Sequence, residues 1–294
     1  MKEFRNILMI VNPISGGRDK DQMVNLIKNK AKETNKKLSI FKTTGNNDLS
    51  KIKKELQKVN PDRLFVIGGD GTIKIVAEAI HDYEIPLAIF PEGSANGLSL
   101  NLKIPENKKE QLNIAFGDNT TNLDVLHLNN EVCLHLSDIG LNAELIEHYE
   151  SSSVRGKFGY LMQSIPTLIK SKYPYEFTIE ANGETHTSKG IMLAIANCRK
   201  YGTGAVINPE GNYNDGIFEI ITFKNLDIPK ILGMLRDNVQ LDPQFAKVLQ
   251  TNQATISCPT PLAFQIDGEF IGKSEKIKAE ISKKNLQILV NNTQ

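Results

Sequence analysis

"RLFVIGGDGTIKIVAEAI", residues Arg63–Ile80, passes from an apolar run through three glycines into an amphipathic stretch. The first part is short and continuously apolar, and the second spaces its apolar residues for one face of a helix. The stretch therefore predicts a buried strand that hands over to a helix. A glycine loop at such a junction lets backbone N–H groups come close to an anion, and the following helix adds the positive end of its dipole. Asp70 sits inside that cradle, where negative charge is expected to bind.

Working outward, residues 1 to about 120 repeat the same alternation. Candidate strands are Asn6–Val11, Leu38–Lys42, Arg63–Ile67 and Pro86–Phe90. Between them, Met23, Leu26, Ile27 and Ala31 fall on one helical stripe, and Leu49, Ile52, Leu56 and Val59 on another. Strands alternating with amphipathic helices predict a three-layer α/β domain around a parallel sheet. In such a sheet all carboxyl ends share one edge. Three of the strands run directly into small-residue loops there: Asn12-Pro13-Ile14-Ser15-Gly16-Gly17, Gly68-Gly69-Asp70-Gly71-Thr72, and Pro91-Glu92-Gly93-Ser94-Ala95-Asn96-Gly97. The three can meet in one crevice, with Ser15, Thr72, Ser94 and Asn96 as short neutral donors for phosphate oxygens.

Other phosphate templates fail. The chain contains no G-x-x-x-x-G-K-[ST], no strand-linked G-x-G-x-x-G, and no H-R-D or D-F-G pair, which removes P-loop, dinucleotide-fingerprint and protein-kinase readings. A carboxylate near a polyphosphate is repelled unless a cation lies between them. Asp70 therefore suggests Mg²⁺, which binds through one or two carboxylates plus substrate phosphates. Asp70 as a helix N-cap is the plainer alternative.

After about residue 122 the texture becomes short alternating runs with Asn129-Asn130 and Asn182-Gly183 where hairpin turns belong, which predicts a mostly antiparallel, sandwich-like β domain. Helical candidates there are Ala143–Glu150, Phe158–Lys170 and Ile228–Val239. The expected domains are thus 1–122, nucleotide-binding, and 123–294, antiparallel β. With 294 residues and 40% hydrophobic content the chain can bury a real core. Its 35 Lys+Arg against 34 Asp+Glu give a net charge of +1, so nothing global attracts nucleic acid. Cys133, Cys198 and Cys258 are distant from one another and suggest neither disulfides nor zinc. The apolar run Ile7–Val11 is too short for a signal-peptide core or a spanning helix, and a cytoplasmic protein is expected.

"NPISGG", "GGDGT", "PEGSANGLS", "LDVLHLNNEVCLHLSDIGLNAEL", "RGKFGYL", "YNDGIFEI" and "QIDGEF" stand in this order along nearly the whole chain. The set resembles the diacylglycerol kinase catalytic-domain family, which includes bacterial soluble lipid kinases and is related to sphingosine and ceramide kinases. The resemblance implies a nucleotide domain, an antiparallel domain and an active site in the cleft between them. It places ATP phosphates at Gly68, Gly69, Asp70, Gly71 and Thr72, with Asn12, Ser15, Gly16, Thr43, Ser94 and Asn96 nearby. It implies Glu269 as general base for the lipid hydroxyl, supported by Asp267, although "IDGEF" taken alone is an ordinary hairpin turn. It further implies a structural Mg²⁺ held by Asp215 and the carbonyls of Asn212 and Ile217, and Asp124 in the magnesium network of Asp70.

Two departures stand out. The family usually continues GGDGT with a hydrophobic residue and Asn-Glu, where this chain has Ile73-Lys74-Ile75, and it commonly has Asn-Asp where this chain has Asn96-Gly97. Lys74 is expected to point to solvent, the alternative being a direct phosphate contact. A lipid acceptor implies transient, peripheral contact with the inner face of the membrane. "SSSVRGKFGYLMQSIPTLIK", with Arg155, Lys157, Phe158, Tyr160, Leu161, Met162 and Ile165, is either a lipid-facing surface or a helix packed on the β domain. The competing readings are a soluble-substrate kinase of the NAD kinase type and a nucleotide- or lipid-binding protein with weak or lost catalysis. A homodimer stays open.

Overall fold

Five successive buried residues, Ile7–Val11, make β1 (Asn6–Val11) the inner strand of a parallel sheet. The computed structural model describes residues 4–17, 20–150, 173–202, 204–236 and 240–291. The chain divides into two compact units, 1–123 with 283–294, and 124–282.

In the first unit, β1 pairs in parallel with β2 (Lys37–Lys42) and β3 (Arg63–Gly68), and β3 with β4 (Leu87–Pro91). β1, β3 and β4 are almost wholly apolar because both faces are covered, while β2, at the sheet edge, is half polar and partly exposed. Ile7, Met9 and Val11 pack with Met23 and Ile27 of α1 (Asp21–Glu33) and with Leu112 and Ala115 of α5 (Lys108–Phe116). Strand alternation sends Leu8 and Ile10 to the opposite face, where α2 (Asp48–Val59) lies on β1 and α3 (Asp70–Ile80) on β3. This is the expected three-layer arrangement.

The sheet continues past β4 to β16 (Leu286–Leu289) and β5 (Thr120–Leu123). Placing "LQILV" in the second domain is therefore corrected: the strand lies parallel to β4 and antiparallel to β5. Without it the apolar edge of β4 would be unpaired, and alternation along a strand says nothing about which sheet it joins.

The second unit is antiparallel. Its strands run in the order β13 (Ala246–Thr251), β12 (Phe218–Phe223), β11 (Met192–Ala196), β8 (Leu136–Gly140), β14 (Gln253–Ile266), β15 (Glu269–Ile281), β6 (Leu126–Leu128) and β7 (Glu131–Cys133). The hairpin β9 (Tyr175–Ala181) and β10 (Glu184–Gly190) joins through β9 to β14. A single strand, β14, runs through both "ATISC" and "LAFQI". The register shift between Ser257 and Leu262 brackets Pro259 and Pro261, which cannot donate to a ladder. The first part of β14 pairs with β9 and its end pairs with β8, so one long strand links two sheet segments. Leu126, Phe177, Ile195, Phe218, Ile256 and Ile266 fill one core, and Leu136, Ala194, Ile221 and Phe245 another.

Asn129, Asn182, Gly183, Asp267 and Gly268 all have positive φ, as two-residue hairpin turns require. The candidate Ala143–Glu150 falls inside α6 (Leu141–Glu150). Ile228–Val239 is shortened to a helix over Ile228–Gly233, with 237–239 outside the described residues. Phe158–Lys170 and the basic and apolar residues Arg155 to Ile165 also lie outside them. Among the described residues no helix is long and apolar enough to cross a membrane. All three cysteines are buried and form no disulfide among the described residues.

Candidate functional site

The parallel strands β1, β3 and β4 deliver their three glycine loops to one edge of the first sheet, and the loops touch. Asn12 Nδ2 donates to Thr72 Oγ1 at 2.9 Å, and Ser15 Oγ donates to the Glu92 carbonyl at 3.1 Å. Two of the glycines are required by packing. A Cβ on Gly93 would lie 2.4 Å from Gly69 Cα, and one on Gly16, whose φ is +59°, would lie 2.5 Å from the Glu92 carbonyl oxygen. Both distances are well inside van der Waals contact. The first-turn amides of α3, which a helix cannot satisfy internally, open onto the same edge. Asn96 holds its own loop by accepting from Gly93 N–H at 2.8 Å and donating to the Gly93 carbonyl at 3.1 Å. Ser94 is exposed at the rim. Thr43 is buried at the end of β2, its N–H on the Val11 carbonyl at 2.9 Å.

Asp70 does not cap its own helix, whose N-cap is Gly69. Instead its two oxygens accept from Gly97 N–H at 2.9 Å and Leu98 N–H at 3.1 Å, fixing the start of α4 (Gly97–Asn101). A carboxylate has about four lone-pair positions, so one on each oxygen stays available. Among the described residues no group of three His, Cys, Asp or Glu forms a metal cage. This donor set fits a Mg²⁺ that arrives with a nucleotide, which needs only one or two carboxylates from the protein. Lys74 is corrected: it does not point to solvent but is only 7% exposed. It lies one turn after Asp70 on a helix packed against α2 and β3, so its stem is covered.

At the opposite end of the same strands lies a cavity of about 400 Å³ lined by Phe4, Arg63, Glu84, Asp118 and Leu289. The Arg63 guanidinium there is committed to the carbonyls of Ala115 and Gly117 and to Asp118. No glycine loop lines it.

In the second unit, Asp267 occupies the turn between β14 and β15 and is deeply engaged. Its carboxylate accepts from the N–H groups of Leu134, His135 and Leu136 at 2.9–3.2 Å, and His135 Nδ1 lies 2.7 Å away. Burial alone would raise its proton affinity, but the imidazole and the backbone donors hold the pKa down at about 2. Glu269, two residues on, opens β15 and is exposed. The turn thus buries one carboxylate and presents the next.

Asp124 is brought beside the 212–217 turn. Its N–H donates to the Tyr213 carbonyl and its Oδ2 accepts from Gly216 N–H, both at 2.7 Å. Burial raises its pKa, the Gly216 N–H opposes the rise and neighbouring Asp215 adds to it. Asp215 is exposed and accepts from Ile217 N–H at 3.2 Å, and Asn212 is exposed as well.

Sequence reasoning missed several polar residues around the Asp267 turn. His135, Asp138, Asn197 and Gln265 lie in or beside apolar strands and are buried, and Asn142, in the first turn of α6, reaches Asp138. The only available signal was charge inside "LHLSDIG", an otherwise apolar run.

Comparison with known proteins bears on these arrangements. The model of the diacylglycerol kinase catalytic domain matches residues 6–128, and that of the YegS C-terminal NAD kinase β-sandwich-like domain matches residues 137–290. A Staphylococcus carnosus protein provisionally designated a lipid kinase is 25% identical over 221 residues, 72% of each chain. One from Staphylococcus aureus strain JH9, with the same designation, is 26% identical over 274 residues, 87% of this chain and 88% of that one. Among solved structures, a diacylglycerol kinase from Bacillus anthracis superposes with a TM-score of 0.78 at 18% identity over 99% of both chains. An ATP-complexed NAD kinase from Archaeoglobus fulgidus gives 0.56 at 13% identity, over 97% of this chain and 94% of that one. At these identities the superpositions speak for the fold alone.

Proposed function

Because the chain belongs to the diacylglycerol kinase catalytic-domain family, we propose that it is a lipid kinase moving the γ-phosphate of ATP to a hydroxyl of diacylglycerol or a related lipid. The observation that carries this reading is the convergence of three glycine loops on one sheet edge, tight enough that Gly93 and Gly69 exclude side chains. Backbone N–H groups and the amino end of α3 would hold the phosphates, with Asn12, Ser15, Thr43, Thr72, Ser94 and Asn96 around them. Mg²⁺ carried with the nucleotide would neutralise charge on the transferring group, and Asp70 has lone pairs left to meet it.

Glu269, exposed after the Asp267 turn, takes the proton from the lipid hydroxyl as its oxygen attacks the γ-phosphorus. The bond from that phosphorus to the bridging oxygen breaks, and ADP leaves. The acceptor would arrive from a membrane surface that the protein touches transiently. Asp215, with the carbonyls of Asn212 and Ile217, would hold a second, structural Mg²⁺ near Asp124, whose proton affinity, raised by burial and to a lesser degree by Asp215, a cation would lower.

A coupled assay of ADP release tests the reading. ADP production should rise with Mg²⁺, ATP and diacylglycerol-containing vesicles together, and Glu269→Gln should lower it at least 100-fold. Stimulation by NAD and not by any lipid would replace the lipid reading with a soluble-substrate one. Full turnover in Glu269→Gln would remove Glu269 as base.

A further inference from the structure

Asp138 is a second buried carboxyl in the same unit, and no part of the proposed reaction uses it. It lies in the middle of β8, 2% exposed, opposite Ala194 of β11 on one side and Gln265 of β14 on the other. Its Oδ2 accepts from Gln265 Nε2 and from Asn142 Nδ2, each at 2.6 Å. Asn142 Nδ2 also lies 3.1 Å from the Tyr201 hydroxyl. The Ala143 N–H in the first turn of α6 approaches the carboxyl as well, while Oδ1 is buried without a hydrogen-bond partner of good geometry. The other end of the Gln265 amide is committed too: Oε1 accepts from Gly268 N–H at 2.8 Å. Gly268 precedes Glu269 in the turn.

We propose that Asp138 is a positioning residue for the Glu269 turn: its carboxylate fixes the direction of the Gln265 amide, and that amide holds the Gly268 N–H. The proposal rests on the reading of Glu269 as the base only for its catalytic consequence; the coupling itself stands on the hydrogen bonds. An ionised carboxyl is acceptor-only, so it forces the Gln265 NH₂ towards itself and leaves Oε1 facing Gly268. Protonation on Oδ2 would present a donor to a donor. The Gln265 amide would then turn over, setting its NH₂ against the Gly268 N–H and releasing the turn. Protonation on Oδ1 keeps the orientation of the Gln265 amide but buries an O–H with no acceptor and leaves Oδ2 a neutral carbonyl, a weaker acceptor for the Gln265 NH₂ than a carboxylate oxygen. Either neutral form weakens the hold on Gly268.

Asp267 secures the same turn from the other side, and the two carboxyls differ in their partners. Asp267 has an imidazole and three backbone N–H groups; Asp138 has amide donors only. Burial therefore wins at Asp138 and pushes its pKa up to about 7, whereas Asp267 is held at about 2. The titratable and charged groups on the elements packed against Asp138 are His135 on β8, Cys258 and Asp267 on β14, Glu144, Glu147 and His148 on α6, Glu269 and Lys273 on β15, and Cys198, Arg199, Lys200 and Tyr201 beyond β11. Two of the α6 acids are engaged elsewhere, Glu144 by the Tyr175 hydroxyl at 2.7 Å and Glu147 by Lys273 at 3.9 Å. What opposes the rise at Asp138 comes from Asn142, Gln265 and Ala143. The hold on Gly268 should therefore change between pH 6 and 8.

Hydrogen exchange of the Gly268 amide, read as a protection factor against pH, tests the coupling without reference to activity. In the wild-type protein protection should fall at least tenfold as pH drops from 8 to 6. In Asp138→Asn it should be low and independent of pH, and in Gln265→Leu likewise, with the double variant no lower than either single one. Wild-type turnover should show a matching neutral inflection in kcat, absent from Asp138→Asn, while KM for ATP changes less than twofold. Gly268 protection that ignores both pH and the two substitutions would overturn the proposal, and the wild-type titration alone decides this if a variant fails to fold. If protection follows Asp138 while Glu269→Gln keeps full turnover, the coupling is upheld and the base assignment is what fails.

Discussion

Replacing Asp267 by Asn removes a charge while keeping the side chain's size, and the consequence can be worked from the turn it occupies. The Asp267 pKa is about 2, against an ordinary value of 3.8. A group held down in the folded state stabilises it fully above its unfolded pKa, and that contribution is lost as pH falls through the folded value. The difference of 3.8 − 2 is worth about 2–3 kcal/mol at about 1.4 kcal/mol per pH unit. Asn cannot match the carboxylate's acceptors: the N–H groups of Leu134, His135 and Leu136 and the His135 ring would share one carbonyl oxygen. Leaving buried donors unpaired adds about 1–3 kcal/mol. Asp267→Asn should therefore destabilise the second unit by about 3–6 kcal/mol at pH 7. Urea unfolding followed by a probe in that unit, repeated between pH 7 and pH 2, measures it. The gap between wild type and variant should stay constant from pH 7 to about pH 5 and then narrow by about 2 kcal/mol by pH 2. A gap under about 1 kcal/mol at pH 7, or one that does not narrow in acid, would show that the charge is not what holds the turn.

Asp138 predicts the opposite slope. Its folded pKa of about 7 lies above its ordinary 3.8, so the folded state keeps a proton that the unfolded chain has released, and stability declines between about pH 4 and pH 7 by up to about 4 kcal/mol. Asp138→Asn should flatten that decline, seen as a thermal midpoint that gains on wild type at pH 8 but not at pH 4; parallel curves would refute it. Gly93→Ala drives a methyl to 2.4 Å from Gly69 Cα, so it should destabilise the first unit by about 1–3 kcal/mol and weaken ATP binding at least tenfold by calorimetry; wild-type affinity would mean the loops are not packed so closely. Asp70→Asn should cost about 1 kcal/mol through loss of one of its two amide bonds at α4, with a much larger loss of turnover, at least 100-fold; a loss of stability with turnover intact would confine Asp70 to capping α4.

The first unit was legible because its signals are local. Continuous apolar runs such as Ile7–Val11 and stripes such as Met23, Ile27 and Ala31 report burial directly, and both are realised in β1 and α1. The three glycine loops were legible as a set, because parallel strands place their carboxyl ends on one edge. That Asp70 serves α4 was not, since its partners, Gly97 and Leu98, lie 27 and 28 residues away. Lys74 was misjudged for a related reason. Its helix is covered on more than one side, and a single cation in a mostly apolar stretch reads as the solvent face. After residue 122, periodicity identified strands but could not choose their sheet, as β16 in the first unit shows. The polar residues behind the Asp267 turn come from β8 and β14, more than 120 residues apart. No spacing rule joins His135 to Asp267 or Asp138 to Gln265.

The most direct test of the account follows the phosphate itself. The protein is incubated with γ-labelled ATP, Mg²⁺ and mixed vesicles carrying diacylglycerol and related hydroxyl lipids, with NAD present in a parallel reaction, and the products are separated by thin-layer chromatography. The account predicts label in one phosphorylated lipid, none in NAD, and loss of the lipid product in Glu269→Gln. Label in NAD alone, or no transfer to any lipid despite tight ATP binding, would contradict it.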